Sequence, residues 1–471
     1  MRRTKIVATV GPATRDPDVL ARVIEAGADV LRVNFAHGEP ADHERTILGA
    51  REAAVRAGRE VGLLGDLPGP KMRIGDIAGD VVELPEGGEV TLTEERIAGD
   101  AARLPVAFEG MTKLVAEGDP VFMADGRIRL RVTGLEAREV RCEVEVGGPL
   151  ASHQGLNLPG SEATDADVRK ADLSWVDFAV DQELDLLAVS FVHRPEDLEP
   201  LTARLADRGS DMPVIAKIEK PQAAERAEAI VKAATGGIMV ARGDLGIELP
   251  IARVPVVQKH LLDLAGRHSK PSITATQMLA SMVRSDRPTR AEVTDVANAI
   301  YDGTDAVMLS EETAIGEHPV EAVKVMAAIA RETEPDLPYG EWLLSRVNPE
   351  TDDVADSVAR GAVGSAYRLN IEALVVPTRS GRTARLVSAH RPRVPVLAIS
   401  PRRETVRRLN LLFGVRCVAS EEWTSLRDLL DDCARLAREH GVASSGDLVA
   451  ITAGLPEQEL GTNLFEIHRV P

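Results

Sequence analysis

The chain has 471 residues, 44% apolar and 28% charged, the balance of a soluble globular protein with room for two to four domains and a large core. Its 74 acidic and 56 basic residues give a formal net charge of −18, which argues against nucleic acid or an anionic membrane as a bulk partner but leaves room for an anionic metabolite at a locally basic site. Cys142, Cys417 and Cys433 form no CxxC pair, no apolar run is long enough to cross a bilayer, and the histidines lack HExxH spacing, so a disulfide scaffold, a membrane span and a zinc site are not expected.

Met1-Arg2-Arg3 runs directly into the strand-like Ile6–Val10, without the apolar region and cleavage site of a secretory signal, so a cytoplasmic protein is expected. Further strands are predicted at Val30–Phe35, Val61–Leu67, Leu184–Phe191, Val214–Glu219, Gly237–Ala241, Ser272–Thr276 and Ala306–Leu309. Helical stretches lie between most of them, among them Asp16–Ala26, Ala41–Ala57, Pro221–Ala234, Pro255–Arg267 and Thr289–Tyr301. Eight such units are the count of a closed (β/α)8 barrel. Between the third strand and its helix lie short period-two runs such as Val81–Leu84, Glu89–Leu92, Val121–Met123, Arg127–Val132 and Val140–Val146, which read as a β-rich lid emerging from the catalytic face. After Pro335 the strand-helix alternation restarts, from the helix Val354–Arg368 to the strand Leu464–His468. The expected class is α/β: a TIM barrel over residues 1–70 and 159–335, an inserted β-rich lid over 71–158 and an open α/β domain over 350–471.

In a (β/α)8 barrel the chemistry sits at the C-terminal strand ends. Those ends carry Arg32 and Asn34, Asp66, Ser190, Lys217 and Glu219, Asp244, Thr276, and Ser310 with Glu312. Lys217 and Glu219 are two apart, so on a strand they share a face. A lysine with two carboxylates at adjacent strand ends suits a hard divalent ion holding a phosphate or an enolate. An ordinary surface ion pair is the bland alternative; polar residues at seven consecutive ends favour a site. Thr378-Arg379-Ser380-Gly381-Arg382-Thr383 fits equally an anion pocket at a helix N-terminus and a plain N-capped turn. GxxxxGK[ST] and the protein-kinase motifs are absent. Asp286–Asn298 reads as a capped amphipathic helix beginning near Pro288 and Thr289.

Thr4–Thr14, Leu31–Gly38, Ala216–Glu219, Met239–Glu248, Ala275–Leu279 and Arg287–Glu292, in this order, closely resemble pyruvate kinase. The resemblance implies transfer of the phosphoryl group of phosphoenolpyruvate to ADP in glycolysis, a homotetramer, and a C-terminal domain that takes a phosphorylated allosteric effector. It also implies Mg²⁺ or Mn²⁺ on Glu219 and Asp244, with Lys217 stabilising the transferring phosphoryl group and the enolate, and Arg32 contacting the phosphoryl group. Gly243, Asp244 and Thr276 would hold the substrate carboxylate, with Thr276 near the proton relay. Asn34, His37 and Arg73 would face the nucleotide phosphates, and Thr378 with Ser380–Thr383 would form the effector's phosphate loop.

Three departures stand out. Of the family's potassium ligands Asn34 and Asp66 are present, but Ala36 and Leu67 take the other two positions, and Lys71 stands where potassium-dependent members carry Glu. The expectation is a vestigial site in which the Lys71 ammonium replaces K⁺. Gln154 stands at a usual nucleotide-contacting lysine, and Glu311 at a usual glycine. Glu457 and Glu459 near the effector pocket favour a monophosphate over a bisphosphate. Two other readings compete: a Mg²⁺-dependent barrel lyase or aldolase, and a non-catalytic metabolite-sensing paralogue.

Overall fold

Eight parallel strands close on themselves. They are β1 Lys5–Thr9, β2 Val30–Asn34, β3 Gly62–Asp66, β4 Leu186–Val189, β5 Val214–Ile218, β6 Gly237–Ala241, β7 Ser272–Ala275 and β8 Ala306–Leu309, each within a residue or two of its expected bounds. The computed structural model describes residues 2–69, 72–108, 110–124, 126–159, 166–346, 353–454 and 461–471, with 166–171 in backbone only. Lys71, Glu457 and Glu459 lie outside the described residues.

The period of two fixes what each strand offers to the barrel interior. Val7, Val30, Leu64, Ile215, Met239, Ile273 and Met308 form one buried cluster with Leu411. The alternate residues Ile6, Ala8, Leu31, Val33, Leu63, Ala216 and Val240 belong to a second cluster with the surrounding helices. Two residues beyond an interior position brings the chain to the mouth on the same face. Thr9 follows Val7 in this way, Arg32 follows Val30, Asp66 follows Leu64, and Lys217 follows Ile215.

The helix predicted over Pro221–Ala234 is two, Pro221–Glu225 and Ala227–Ala233, broken at Arg226 (φ −98°, ψ 17°). The helix predicted over Arg403–Leu412 stops at Arg408 and tightens into a 3₁₀ turn over Leu409–Leu411, the common fate of a last turn. The helix Arg290–Tyr301 begins as expected: Thr289 is its N-cap and forms a capping box with Glu292.

The insertion folds as a seven-stranded sheet and a two-stranded one, Val81–Leu84 with Gly148–Ala151, around Leu92, Val121, Leu130 and Val140. The C-terminal part has a five-stranded sheet, Ile371–Pro377 at its centre, with one antiparallel edge strand, Leu464–Arg469. It packs beneath the barrel. Buried Arg391 reaches back to Asp305 Oδ1 (2.7 Å) and the Gly303 carbonyl (2.6 Å) and stacks over the Phe413 ring. No described helix is long and apolar enough to cross a membrane. The three cysteines are unpaired thiols.

Candidate active site

The mouth of the barrel holds a charge network built from five strand ends. Lys217 Nζ lies 2.8 Å from Glu219 Oε1 and 3.3 Å from Asp66 Oδ1, and donates to Ser190 Oγ at 2.7 Å. Asp66 is also bridged by Arg32 Nε at 2.7 Å, and Arg32 donates to Thr9 Oγ1 at 3.1 Å. The cations and the carboxylates are almost entirely withdrawn from water. Charges buried to this degree persist only when paired, as these are.

Burial alone would push the Lys217 ammonium down, but Asp66 and then Glu219 overcome it and hold its pKa above the usual lysine range. Burial would likewise raise Asp66, yet Lys217 and Arg32 hold it below the carboxylate range. Glu219 goes the other way. Burial raises it, and the nearby negative charge of Asp244 raises it further, against the pull of Lys217. Two carboxylates that repel each other, one of them buried, are what a hard divalent cation relieves. Glu219 Oε2 is fixed by the Phe191 amide at 2.8 Å, so one carboxylate is already oriented. The residues present therefore fit a Mg²⁺ or Mn²⁺ ion. Among the described residues there is no group of three or more His, Cys, Asp or Glu side chains that could hold a metal, so water, backbone oxygens or a ligand would complete a shell begun by two carboxylates.

The next two strand ends meet directly. The Gly243 amide donates to Thr276 Oγ1 at 2.7 Å, and Thr276 donates to the Ala275 carbonyl at 2.6 Å. Thr276 and Gln277 both have positive φ, 71° and 53°. For a β-branched residue this is strained backbone, of the kind that persists only where the surroundings enforce it. Arg242 supplies the enforcement. It donates to the Thr276 carbonyl (2.8 Å) and the Ala275 carbonyl (3.2 Å), and is anchored by Asp295 at 2.7 Å. Sequence reasoning missed this role, although Arg242 stands immediately before Gly243 and Asp244.

Two models of known families cover most of the chain: the pyruvate kinase barrel domain over residues 1–323 and the pyruvate kinase alpha/beta domain over 356–468. The chain belongs to the pyruvate kinase family. It is 40% identical to the pyruvate kinase of Thermococcus litoralis over 100% of this chain and 99% of that one, and 37% identical to that of Thermotoga maritima over the whole of both. A crystal structure of a pyruvate kinase from Cryptosporidium parvum superposes with a TM-score of 0.94 at 33% identity, covering 100% of this chain and 96% of that one.

The residues expected to face the nucleotide sit at the second strand end, on the turn after it and on the inserted sheet. Asn34 pairs in register with Asp66, and its Oδ1 accepts from the Ala36 amide at 3.2 Å. His37 is exposed on the following turn. Arg73 lies on the strand of the insertion paired with Gly155 and donates to the His153 carbonyl at 3.1 Å. Gln154 turns inward to its own loop, accepting from the Ala151 amide at 3.1 Å. Glu311 is exposed, and nothing in the structure explains its presence there.

In the C-terminal loop the Gly381 amide donates to Thr378 Oγ1 at 3.0 Å, and Thr383 meets Thr462 through their hydroxyls. Gly381 has φ +82°, and a Cβ there would lie 2.9 Å from Leu409, so only glycine fits this turn. Arg382 pairs with Asp353 and Arg379 with Glu422.

Proposed function

We propose that the protein transfers the phosphoryl group of phosphoenolpyruvate to ADP, giving pyruvate and ATP. Lys217 carries this reading: a cation held between Asp66 and Glu219 at the mouth of the barrel, two residues along the chain from a metal-type carboxylate. As the P–O bond to the enol oxygen breaks and a terminal oxygen of ADP takes the phosphorus, Lys217 offsets charge on the phosphoryl oxygens and on the enolate. Arg32 holds the phosphoryl group in line. The Gly243–Asp244 backbone and Thr276 receive the substrate carboxylate, and Thr276 lies near the path of the proton that converts the enolate to pyruvate. Glu219 and Asp244 would hold Mg²⁺ or Mn²⁺, which when bound neutralises phosphate charge. Asn34, His37 and Arg73 would face the nucleotide.

The functional division follows the sheets: barrel residues 1–70 and 159–335 for catalysis, 71–158 as lid, and 350–471 for regulation by a phosphorylated effector, a monophosphate, at Thr378 and Ser380–Thr383. A cytoplasmic homotetramer completes the reading. Potassium is dispensable in it. Asp66 is already committed to Arg32 and Lys217 and its neighbour Leu67 is buried and apolar, which supports Lys71 as the substitute cation. The deciding experiment is pyruvate release from phosphoenolpyruvate in Mg²⁺ buffer. Release that requires ADP and is matched by ATP formation is expected; release without ADP would favour a lyase, and none under any condition a sensing paralogue.

A further inference from the structure

Lys220 directly follows Glu219, two residues past the end of β5, and has no part in the charge network at the mouth. Its backbone is extended (φ −119°, ψ 147°), and successive residues of an extended chain face opposite sides. Glu219 turns to Lys217. Lys220 is sent the other way, into the protein, and is only 8% exposed. There its ammonium pairs with the fully buried carboxylate of Glu248 and lies over the Phe191 ring, 5.7 Å from the centroid.

Each of these partners is tied to one carboxylate of the candidate metal site. Glu248 is the last residue of the helix Arg242–Glu248, whose first turn carries Asp244. Asp244 and Glu248 are four apart, so they share a face of that helix, one turn from each other. Like charges so placed repel, and the Lys220 cation offsets the repulsion while anchoring the helix end. Phe191 donates its amide to Glu219 Oε2 at 2.8 Å. It does so from a backbone with φ +53°, a costly conformation for an aromatic residue that persists only where the surroundings impose it. The surroundings are close. A Cβ at Gly69 would lie 2.9 Å from the Phe191 ring, and Lys220 adds a cation over that ring within the range of a cation–π contact.

We infer that Lys220 is a positioning residue: one ammonium, on Glu248 and over Phe191, sets where the Asp244 and Glu219 carboxylates stand relative to each other. The inference rests on the reading of those two carboxylates as the metal ligands. Lys220 acts through its two neighbours and not on the reacting atoms. A pair that served only to hold the fold would change the unfolding temperature and leave the geometry of the two carboxylates as it is.

Lys220→Met removes the charge and keeps the apolar stem, and two readouts on the full-length protein test it. The Mn²⁺ dissociation constant, from electron paramagnetic resonance of the free ion, should rise about tenfold or more, the usual effect of losing a group that orients a metal ligand. Hydrogen exchange of the Phe191 amide in metal-free protein, relative to the Ile238 amide of β6, should quicken about fivefold, the scale of one hydrogen bond. Lys220→Arg, which keeps a cation for both partners, should recover most of both values. Glu248→Gln should weaken Mn²⁺ binding in the same direction, and it decides if Lys220→Met fails to fold. Either readout left unchanged in a folded Lys220→Met variant, with only the unfolding temperature lowered, overturns the inference and leaves an ordinary buried ion pair. Absence of Mn²⁺ binding by the unaltered protein would instead overturn the metal reading, and the Phe191 exchange ratio, which needs no metal, would then decide the role of Lys220 by itself.

Discussion

Lys217 and Glu219 meet at 2.8 Å at the end of one strand, yet the ammonium is held above its usual range and the carboxyl is raised as well. The pair is not self-sufficient. Asp66 supplies part of the negative charge that keeps the lysine protonated, and Asp244 supplies part of the repulsion felt by Glu219. A phosphoryl group and a divalent cation complement these two imbalances. Lys217→Gln should therefore lower kcat by about 10²–10³-fold, the scale of losing one preorganised electrostatic contact, with a smaller effect on phosphoenolpyruvate KM. Steady-state kinetics, with thermal unfolding to confirm the fold, would check it.

Asp244→Asn removes both the proposed second metal ligand and a source of that repulsion. The Mn²⁺ dissociation constant, read by electron paramagnetic resonance of the free ion, should rise by about tenfold or more in the presence of phosphoenolpyruvate. An unchanged constant would remove Asp244 from the metal shell.

Activity should be nearly independent of K⁺ when bulky organic cations replace it. Lys71→Glu should restore a K⁺ requirement, with activation of at least about tenfold if the lysine supplies the missing charge. Large K⁺ activation of the unaltered enzyme would contradict the substitution.

Arg391→Met should destabilise the protein by about 3–5 kcal/mol, the usual result of stranding one partner of a buried ion pair. Asp305 would retain the Ser272 and Phe413 amides but lose its compensating charge. Denaturant unfolding measures it.

Stability should also depend on Lys270. Its folded pKa of about 8 lies below the ordinary 10.5. Below pH 8 the proton stays on in both states, and the full cost of burying the charge is present. Between about pH 8 and 10.5 the folded form sheds the proton first, so stability from this group rises with pH. Lys270→Met should raise Tm at pH 7 in phosphate-free buffer, with the gain shrinking as pH passes 8.

The barrel was legible because each strand is a short apolar run closed by a polar residue, and a period of two carries Ile215 to Lys217 and Leu64 to Asp66. The closeness of Glu219 and Asp244, felt as repulsion, followed from adjacent strand ends. Other features left no local trace. The positive φ of Thr276 depends on Arg242 holding the backbone from the preceding strand end. The Arg391–Asp305 contact spans 86 positions, a separation at which residue type says nothing about who meets whom. The break at Arg226 falls inside a run of good helix formers, where packing on the barrel overrides propensity.

Leu411 belongs to the C-terminal part, yet it is a member of the cluster that fills the barrel between Val7, Val30 and Ile273. The barrel is thus a vessel whose floor is supplied by a later stretch of the chain. Cutting the polypeptide after residue 335 would open that floor to water. Exchanging the C-terminal part for that of a relative would demand a side chain of matching volume at this one position.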